Sequence, residues 1–400
     1  MPDPLFSIPM IEKFIGFNTI SRNSNLGLIH FVRDYLADFG IEAVLTHDET
    51  GQKANLFATI GPTDRPGIIL SGHTDVVSCE DQSWTSDPFR LALLEDRVVG
   101  RGVCDMKGFL AIATAFVPEF VRRQLTTPVH LAMSFDEEVG CLGVPLLLQD
   151  LKERGVAPLA CIVGEPSEMG LIRAHKGKIG GHVTVTGVAA HSGVAHLGVN
   201  AVEAAAEAIA YLKGIQRRLR DEGPFNPAFE EPQYTTIQTC MVGGGTAVNI
   251  VAARCTFDFD IRYLPGENPM AYVDECRAFV ETQIEPEMKA IHPEAGFRWE
   301  FVPGCAALNT GDDDPVMELA KDLSGKNGST CVGFGTEAGH FQKAGIPTFI
   351  CGPGCIDQAH KADEFLTHAQ IAQCEAFMWK ILDKVSAPAA WPGRTFMSTI

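Results

Sequence analysis

Three short apolar runs in the first half of the chain, Arg65 to Gly72, Pro128 to Phe135 and Leu159 to Gly164, each stop at residues able to bind a cation. The first leads into Gly72-His73-Thr74-Asp75, the second into Asp136-Glu137-Glu138 and the third into Glu165. Apolar runs of this length, without polar alternation, predict strands buried on both faces. The stretch from Lys107 (GFLAIATAFVPEFVRR) and the stretch Gly140 to Arg154 read as the helices that connect them. In such an α/β sheet the binding crevice forms at the carboxyl ends of the strands, where successive helices turn away. The three potential ligand groups therefore fall on one edge of one sheet.

Other segments complete the outline. Helical stretches precede the first strand (Ile8 to Ile20, then Asn25 to Phe39, stopped by Gly40). Between Lys178 and Gly304 a strand-like GGHVTVTG is followed by an alanine-rich helix (Asn200 to Arg220) and two strands (Thr235 to Val242, Cys255 to Arg262). A helix (Pro269 to Ala290) and a strand (Phe297 to Val302) close this part. The order β-α-β-β-α-β is that of a ferredoxin-like module. From Pro315 the α/β texture returns with a helix, an apolar strand (Pro347 to Cys351), a Gly-rich turn, His360 and a last helix. The expected organisation is a discontinuous mixed-sheet domain, residues 1–177 and 304–400, interrupted by a second domain at 178–303.

Composition removes several function classes. A formal charge of −18 repels a phosphate backbone, so nucleic acid is not an expected partner, whereas a small cationic or zwitterionic substrate is compatible with that field. The longest apolar run, Phe109 to Val117, is half of the ~18 residues a membrane-spanning helix needs. The start, MPDPLFSIPMIEKFIGF, lacks the charged-then-apolar order of a signal peptide, which makes the cytoplasm the expected location. The 12 cysteines contain no C-x-x-C, so they read as scattered reduced thiols and leave metal binding to histidine and carboxylate.

His73 and Asp75 form H-x-D, where side chains two apart on an extended segment face the same way and the Asp can take the other N–H of a ligating imidazole. A bare H-x-D also fits a structural pair. Asp105 lies in GRGVCDMKG, among glycines that permit close backbone approach, and equally suits a helix N-cap. Glu137 and Glu138 point to different sides of an extended backbone, so one can bind metal while the other faces substrate; a solvated turn is the plain alternative. With Glu165 in VGEPS and the distant His360, these residues supply two imidazoles and three carboxylates, a donor set suited to Zn²⁺, Co²⁺ or Mn²⁺. Asp105 can bridge two ions ~3.5 Å apart, as in two-metal hydrolases.

The order HTD, DMKG, DEE, GEPS and a distant C-terminal His resembles the M20 metallopeptidase and deacylase family over nearly the whole chain. The resemblance implies His73, Asp105 and Glu165 around one metal, and Asp105, Glu138 and His360 around the other. Asp75 would orient His73 and Glu137 would act as general base, taking a proton from water and passing it to the departing amine. The same resemblance implies a di-metal hydrolase domain, an inserted dimerisation or lid domain, a homodimer and a cis peptide between Asp105 and Met106. His191, in TGVAAHSG, would stabilise the oxyanion in the partner's site, and Arg262 and Asn249 would read the substrate α-carboxylate. Without the family, His191 reads as an exposed polar residue and Arg262 as a surface ion pair.

Within the family, TEA at Thr336 to Ala338 and GPGxIxQAHxxDEF at Gly352 to Phe365 resemble the acetylornithine deacetylases. The implied reaction is deacetylation of an N-acyl amino acid such as N-acetylornithine, in arginine biosynthesis. Succinyl-diaminopimelate desuccinylases and peptidases share the chemistry, and a metal-binding scaffold without catalysis is the alternative of another class. Glu337, in the Gly-flanked GTEAG loop, is the expected counter-charge for the cationic end of the substrate. The tail after Ser386 matches nothing in this scheme.

Overall fold

The computed structural model describes residues 5–387, so the tail from residue 388 lies outside the described residues. The chain divides into two compact units. One runs through Arg173 and resumes over Thr310–Thr330 and from Thr336 onward; the other comprises Ala174–Asn309 with Cys331–Gly335. The expected limits of 178 and 303 lie inside that second stretch.

The first unit is built on a mixed sheet. Ile68–His73, buried along its whole length, lies between Val129–Ser134 and Ala160–Pro166 and runs parallel to both. Thr348–Gly352 is parallel to the far side of Ala160–Pro166 and is followed by the antiparallel Leu171–His175. On the opposite side a hairpin, Ala43–His47 with Ala54–Ile60, extends the sheet antiparallel to Val129–Ser134. The hairpin has no counterpart in the sequence expectation. From Ile68–His73 the chain steps to one neighbour and then back across to the other, and this reversal opens the crevice at the carboxyl ends.

Helices Ile8–Ile15, Lys107–Ala115 and His368–Ser386 share one apolar core, which includes Phe14, Phe109, Phe116, Phe349 and Met378. The first helix ends at Ile15 rather than Ile20. Lys107–Ala115 crosses the sheet so closely that a Cβ at Gly164 would lie 2.0 Å from the Phe109 ring, and only glycine fits. A small antiparallel sheet pairs Arg97–Val99 with Phe365–Thr367 and ties the C-terminal segment to the approach of Asp105.

The second unit has strand order Thr236–Gly244, Arg254–Tyr263, Gly177–Thr186, Gly296–Val302, antiparallel throughout. Numbered in chain order this is 2-3-1-4, which with helices between strands one and two and between three and four is the ferredoxin-like arrangement. Alternate residues Cys255, Phe257, Phe259 and Ile261 are buried, together with Ala204, Ala208, Leu212 and Ile215 of helix Ala201–Glu222. Asn200 caps that helix by accepting the Val202 and Glu203 amides. The expected helix Pro269 to Ala290 is interrupted by a π-helical stretch, Val280–Ile284, before Pro286, which has no N–H to continue the ladder. No helix among the described residues is long and apolar enough to cross a membrane.

Candidate metal centre

Strand register assembles the cluster in the first unit. His73 pairs with Ser134, and the Thr74 amide donates to the Ser134 carbonyl at 2.8 Å, so the turn after Ser134 rises beside His73. Ser71 pairs with Val163, which brings Glu165 level with His73 on the other side. His73 Nε2 lies 3.0 Å from Asp105 Oδ1 and 3.6 Å from Glu165 Oε1. The second oxygen of Asp105, Oδ2, is 3.1 Å from His360 Nε2, which is also 3.1 Å from Glu138 Oε1. The Asp105–Met106 peptide is cis.

Glu137, expected to face away from Glu138, comes to the same cluster. A ligand oxygen of Glu137 lies within 4.8 Å of ligand atoms of His73 and Glu165. The alternation rule does not apply because the strand ends at Ser134 and Asp136 turns at φ +55. Lys53 Nζ holds the Asp136 carboxylate at 2.5 Å and so anchors that turn.

The electrostatics of the cluster call for cations. Burial by itself lowers the His73 pKa, but contacts with Asp105 and Asp75 and the charge of Glu165 hold it well above the usual histidine value. Contacts with Asp105 and Glu138 push His360 up to about 10. Burial opposes ionisation of Asp105, yet the two imidazoles keep it far below the usual carboxylate range. Glu138 and Glu165 are pushed up, by burial first and by the charge of Asp105 second. Clustered buried carboxylates facing two imidazoles form an excess of negative charge that divalent ions would balance. Imidazole nitrogen and carboxylate oxygen, with no thiolate, fit borderline ions.

Asp75 meets His73, as expected, and has a second task as well. His73 Nδ1 lies 2.9 Å from the main-chain oxygen of Asp75 and 3.6 Å from its carboxylate. The carboxylate also accepts from the Glu137 amide at 3.0 Å, the Glu138 amide at 3.3 Å and the Ser21 hydroxyl at 2.7 Å. It therefore seats the two-glutamate turn while its own carbonyl orients the imidazole.

Glu337 must be corrected. It is 0% exposed, its oxygens accept from Ser71 Oγ at 2.7 Å and Ser134 Oγ at 2.5 Å, and burial pushes its pKa up. A fully enclosed carboxylate with both oxygens engaged has no face for the cationic end of a substrate. It braces two adjoining strands beneath His73.

The remaining expected residues lie in the second unit. His191 is exposed; its Nδ1 accepts from the Gly193 amide at 3.0 Å, and Ser192 N–H donates to the Asn249 carbonyl at 3.0 Å, bringing these two segments together. A neutral ring whose Nδ1 accepts carries its proton on Nε2. Arg262 donates from Nε to Asp260 at 2.9 Å.

Three residues in the first unit escaped the sequence reading. Arg101 and Glu364 form a buried ion pair at 2.7 Å, and Gln82 donates to the His360 carbonyl at 2.9 Å. Arg101 and Glu364 stand inside the quoted motifs, but nothing local marks them as partners.

Peptidase family M20/M25/M40 matches residues 69–384. The acetylornithine deacetylase of Proteus mirabilis is 33% identical over 366 residues, 90% of each chain. Among solved structures, the M20 family metallo-carboxypeptidase Sso-CP2 from Sulfolobus solfataricus is similar with a TM-score of 0.73, at 16% identity over 95% of this chain and 99% of that one. The YXEP protein of Bacillus subtilis, described as a dinuclear metal binding peptidase, has a TM-score of 0.60 at 15% identity over 95% and 98%. Fold, cluster and sequence agree: the chain belongs to peptidase family M20/M25/M40 and is a metal-dependent amidohydrolase.

Proposed function

We propose that this chain hydrolyses the amide of an N-acyl amino acid, with N-acetylornithine the foremost candidate and ornithine and acetate the products. The observation that carries the chemistry is Asp105 reaching His73 with one oxygen and His360 with the other, with Glu137 beside the same cluster. Likeness to acetylornithine deacetylase over 90% of the chain supports the substrate.

His73, Asp105 and Glu165 would hold one divalent ion and Asp105, Glu138 and His360 the other, with Zn²⁺ the first expectation and Co²⁺ or Mn²⁺ compatible. Bound there, such ions polarise the amide carbonyl and acidify water. Glu137, seated by Asp75, takes the proton of the attacking water and returns it to the leaving amine. His191, with its proton on Nε2, is a donor for the developing oxyanion, and Arg262 with Asn249 binds the α-carboxylate.

Homodimer formation is part of this reading. The edge strand Thr236–Gly244 exposes Met241 at 66% and Val242 at 68%, which suits burial against a second copy. His191 would then act in the partner's site.

Turnover of N-acetylornithine, succinyl-diaminopimelate, other N-acyl amino acids and dipeptides tests the substrate; a preference for any but the first overturns the choice of ornithine. Mixing His191→Ala with Glu137→Ala under subunit exchange restores about a quarter of wild-type activity if His191 works in trans, because half the dimers are mixed and each holds one intact site. No recovery despite proven exchange removes that role.

A further inference from the structure

Resting on the two-ion reading above, we propose that the buried Arg101–Glu364 pair positions Asp105 and His360, and thereby sets the affinity of the Asp105–Glu138–His360 ion site separately from the His73–Asp105–Glu165 site. Both partners are 1% exposed. Glu364 accepts from four donors: through Oε1 from the Cys104 amide at 2.8 Å and the Asp105 amide at 3.0 Å, and through Oε2 from the Gly102 amide at 3.0 Å and Arg101 Nη1 at 2.7 Å. One carboxylate thus gathers the backbone of the turn that aims Asp105.

The same pair reaches the histidine. Arg101 Nη2 donates to Gln82 Oε1 at 2.5 Å, and Gln82 Nε2 donates to the His360 carbonyl at 2.9 Å. Arg101 also lies 5.0 Å from the Trp84 ring centroid, which limits its movement. His360 itself sits at φ +61, so its loop depends on such outside support. Glu364 is fixed from the other direction, because Phe365–Thr367 pairs with Arg97–Val99 and the Gly100 amide donates to the Glu364 carbonyl at 2.9 Å.

The asymmetry between the two ion sites follows from their supports. His73 and Glu165 project from adjoining buried strands of the main sheet, whose ladders hold them without help from Glu364. His360 comes from a loop and is half exposed, with 49% of its side chain accessible. Asp105 serves both sites, but its Oδ2, the oxygen facing His360, is the one whose direction matters to the second. Groups that hold ligands in place commonly alter metal affinity about 10–100-fold when removed.

The test dialyses metal-loaded, full-length protein against graded chelator and measures Zn²⁺ retained per chain. Wild type is expected to release two ions in two steps. In Glu364→Gln the amide presents an N–H₂ group to one of the donors now accepted, and the weaker step moves to roughly 10–100-fold higher free Zn²⁺ while the tighter step stays in place. Both steps moving together, or neither moving, overturns the proposal, since a general loss of structure does not choose between ions. Should Glu364→Gln fail to fold, Gln82→Ala cuts the link from Arg101 and Trp84 to His360 at a partly exposed side chain and leaves the Arg101–Glu364 pair itself in place; it too must weaken the weaker step alone, and an unchanged profile overturns the proposal. A wild-type chain that holds one ion instead overturns the two-ion reading itself.

Discussion

Replacing Gly164 by alanine sets two physical effects against each other. Backbone entropy favours the change, since glycine within a strand is worth about 0.5–1 kcal/mol less than alanine. Packing opposes it: the new Cβ would stand 2.0 Å from Cδ1 and Cγ of Phe109 and 2.5 Å from Cδ2. Ordinary carbon contact begins near 3.5 Å, so the ring or the strand must retreat by roughly 1.5 Å. Phe109 is 0% exposed on a helix buried along almost its whole length, so neither partner has room to yield. Overpacking of this kind costs about 1–3 kcal/mol, which exceeds the entropic gain. The expected result is a net loss of about 1–2 kcal/mol. Strand displacement would also move Glu165, the next residue, and lower metal retention. Denaturant unfolding of Gly164→Ala, Phe109→Leu and the double variant measures the coupling, and Phe109→Leu should rescue most of the loss. A stability within 0.5 kcal/mol of wild type, or no coupling to Phe109, refutes the packing argument.

Glu137→Gln should keep both metals and lose at least ~100-fold in turnover, because the amide fills the space without carrying a proton; activity within about tenfold of wild type reassigns the base. Glu337→Gln should reduce turnover of acetylornithine and of an uncharged N-acetyl amino acid by the same factor, since the buried side chain touches serines and no substrate; a selective loss on ornithine restores the counter-charge role. Burial, with help from Arg154, holds His130 down to about 4 against the ordinary 6.5, and its buried Nε2 has no hydrogen-bond partner. Between those pH values the unfolded chain takes a proton that the folded chain refuses, so stability falls as pH drops, by up to about 3 kcal/mol. His130→Leu should lack that part of the slope in urea titrations at pH 7.5 and 5; parallel losses in both proteins contradict it.

The residues that cluster were legible as candidates because their signals are local. A buried apolar run followed by His73, Glu138 or Glu165 shows its strand, its end and its donor within ten residues, and the β-α-β-β-α-β order declares a ferredoxin-like module without any long-range information. The same locality misled the reading elsewhere. Alternation separated Glu137 from Glu138 on paper, but the strand had already ended and both turn inward. Glu337 looked like a loop charge because Gly335 and Gly339 flank it, whereas its surroundings are Ser71 and Ser134 on two paired strands. Arg101 and Glu364 lie 263 positions apart, and no periodicity connects them. Short segments of the sequence were enough to point to the candidate donors and to the strand ends on which they stand, since burial and period are local properties. Which carboxylates gather around His73 and His360 and which lie enclosed beneath them is a matter of the tertiary structure, because strand order and register bring together groups the chain holds far apart.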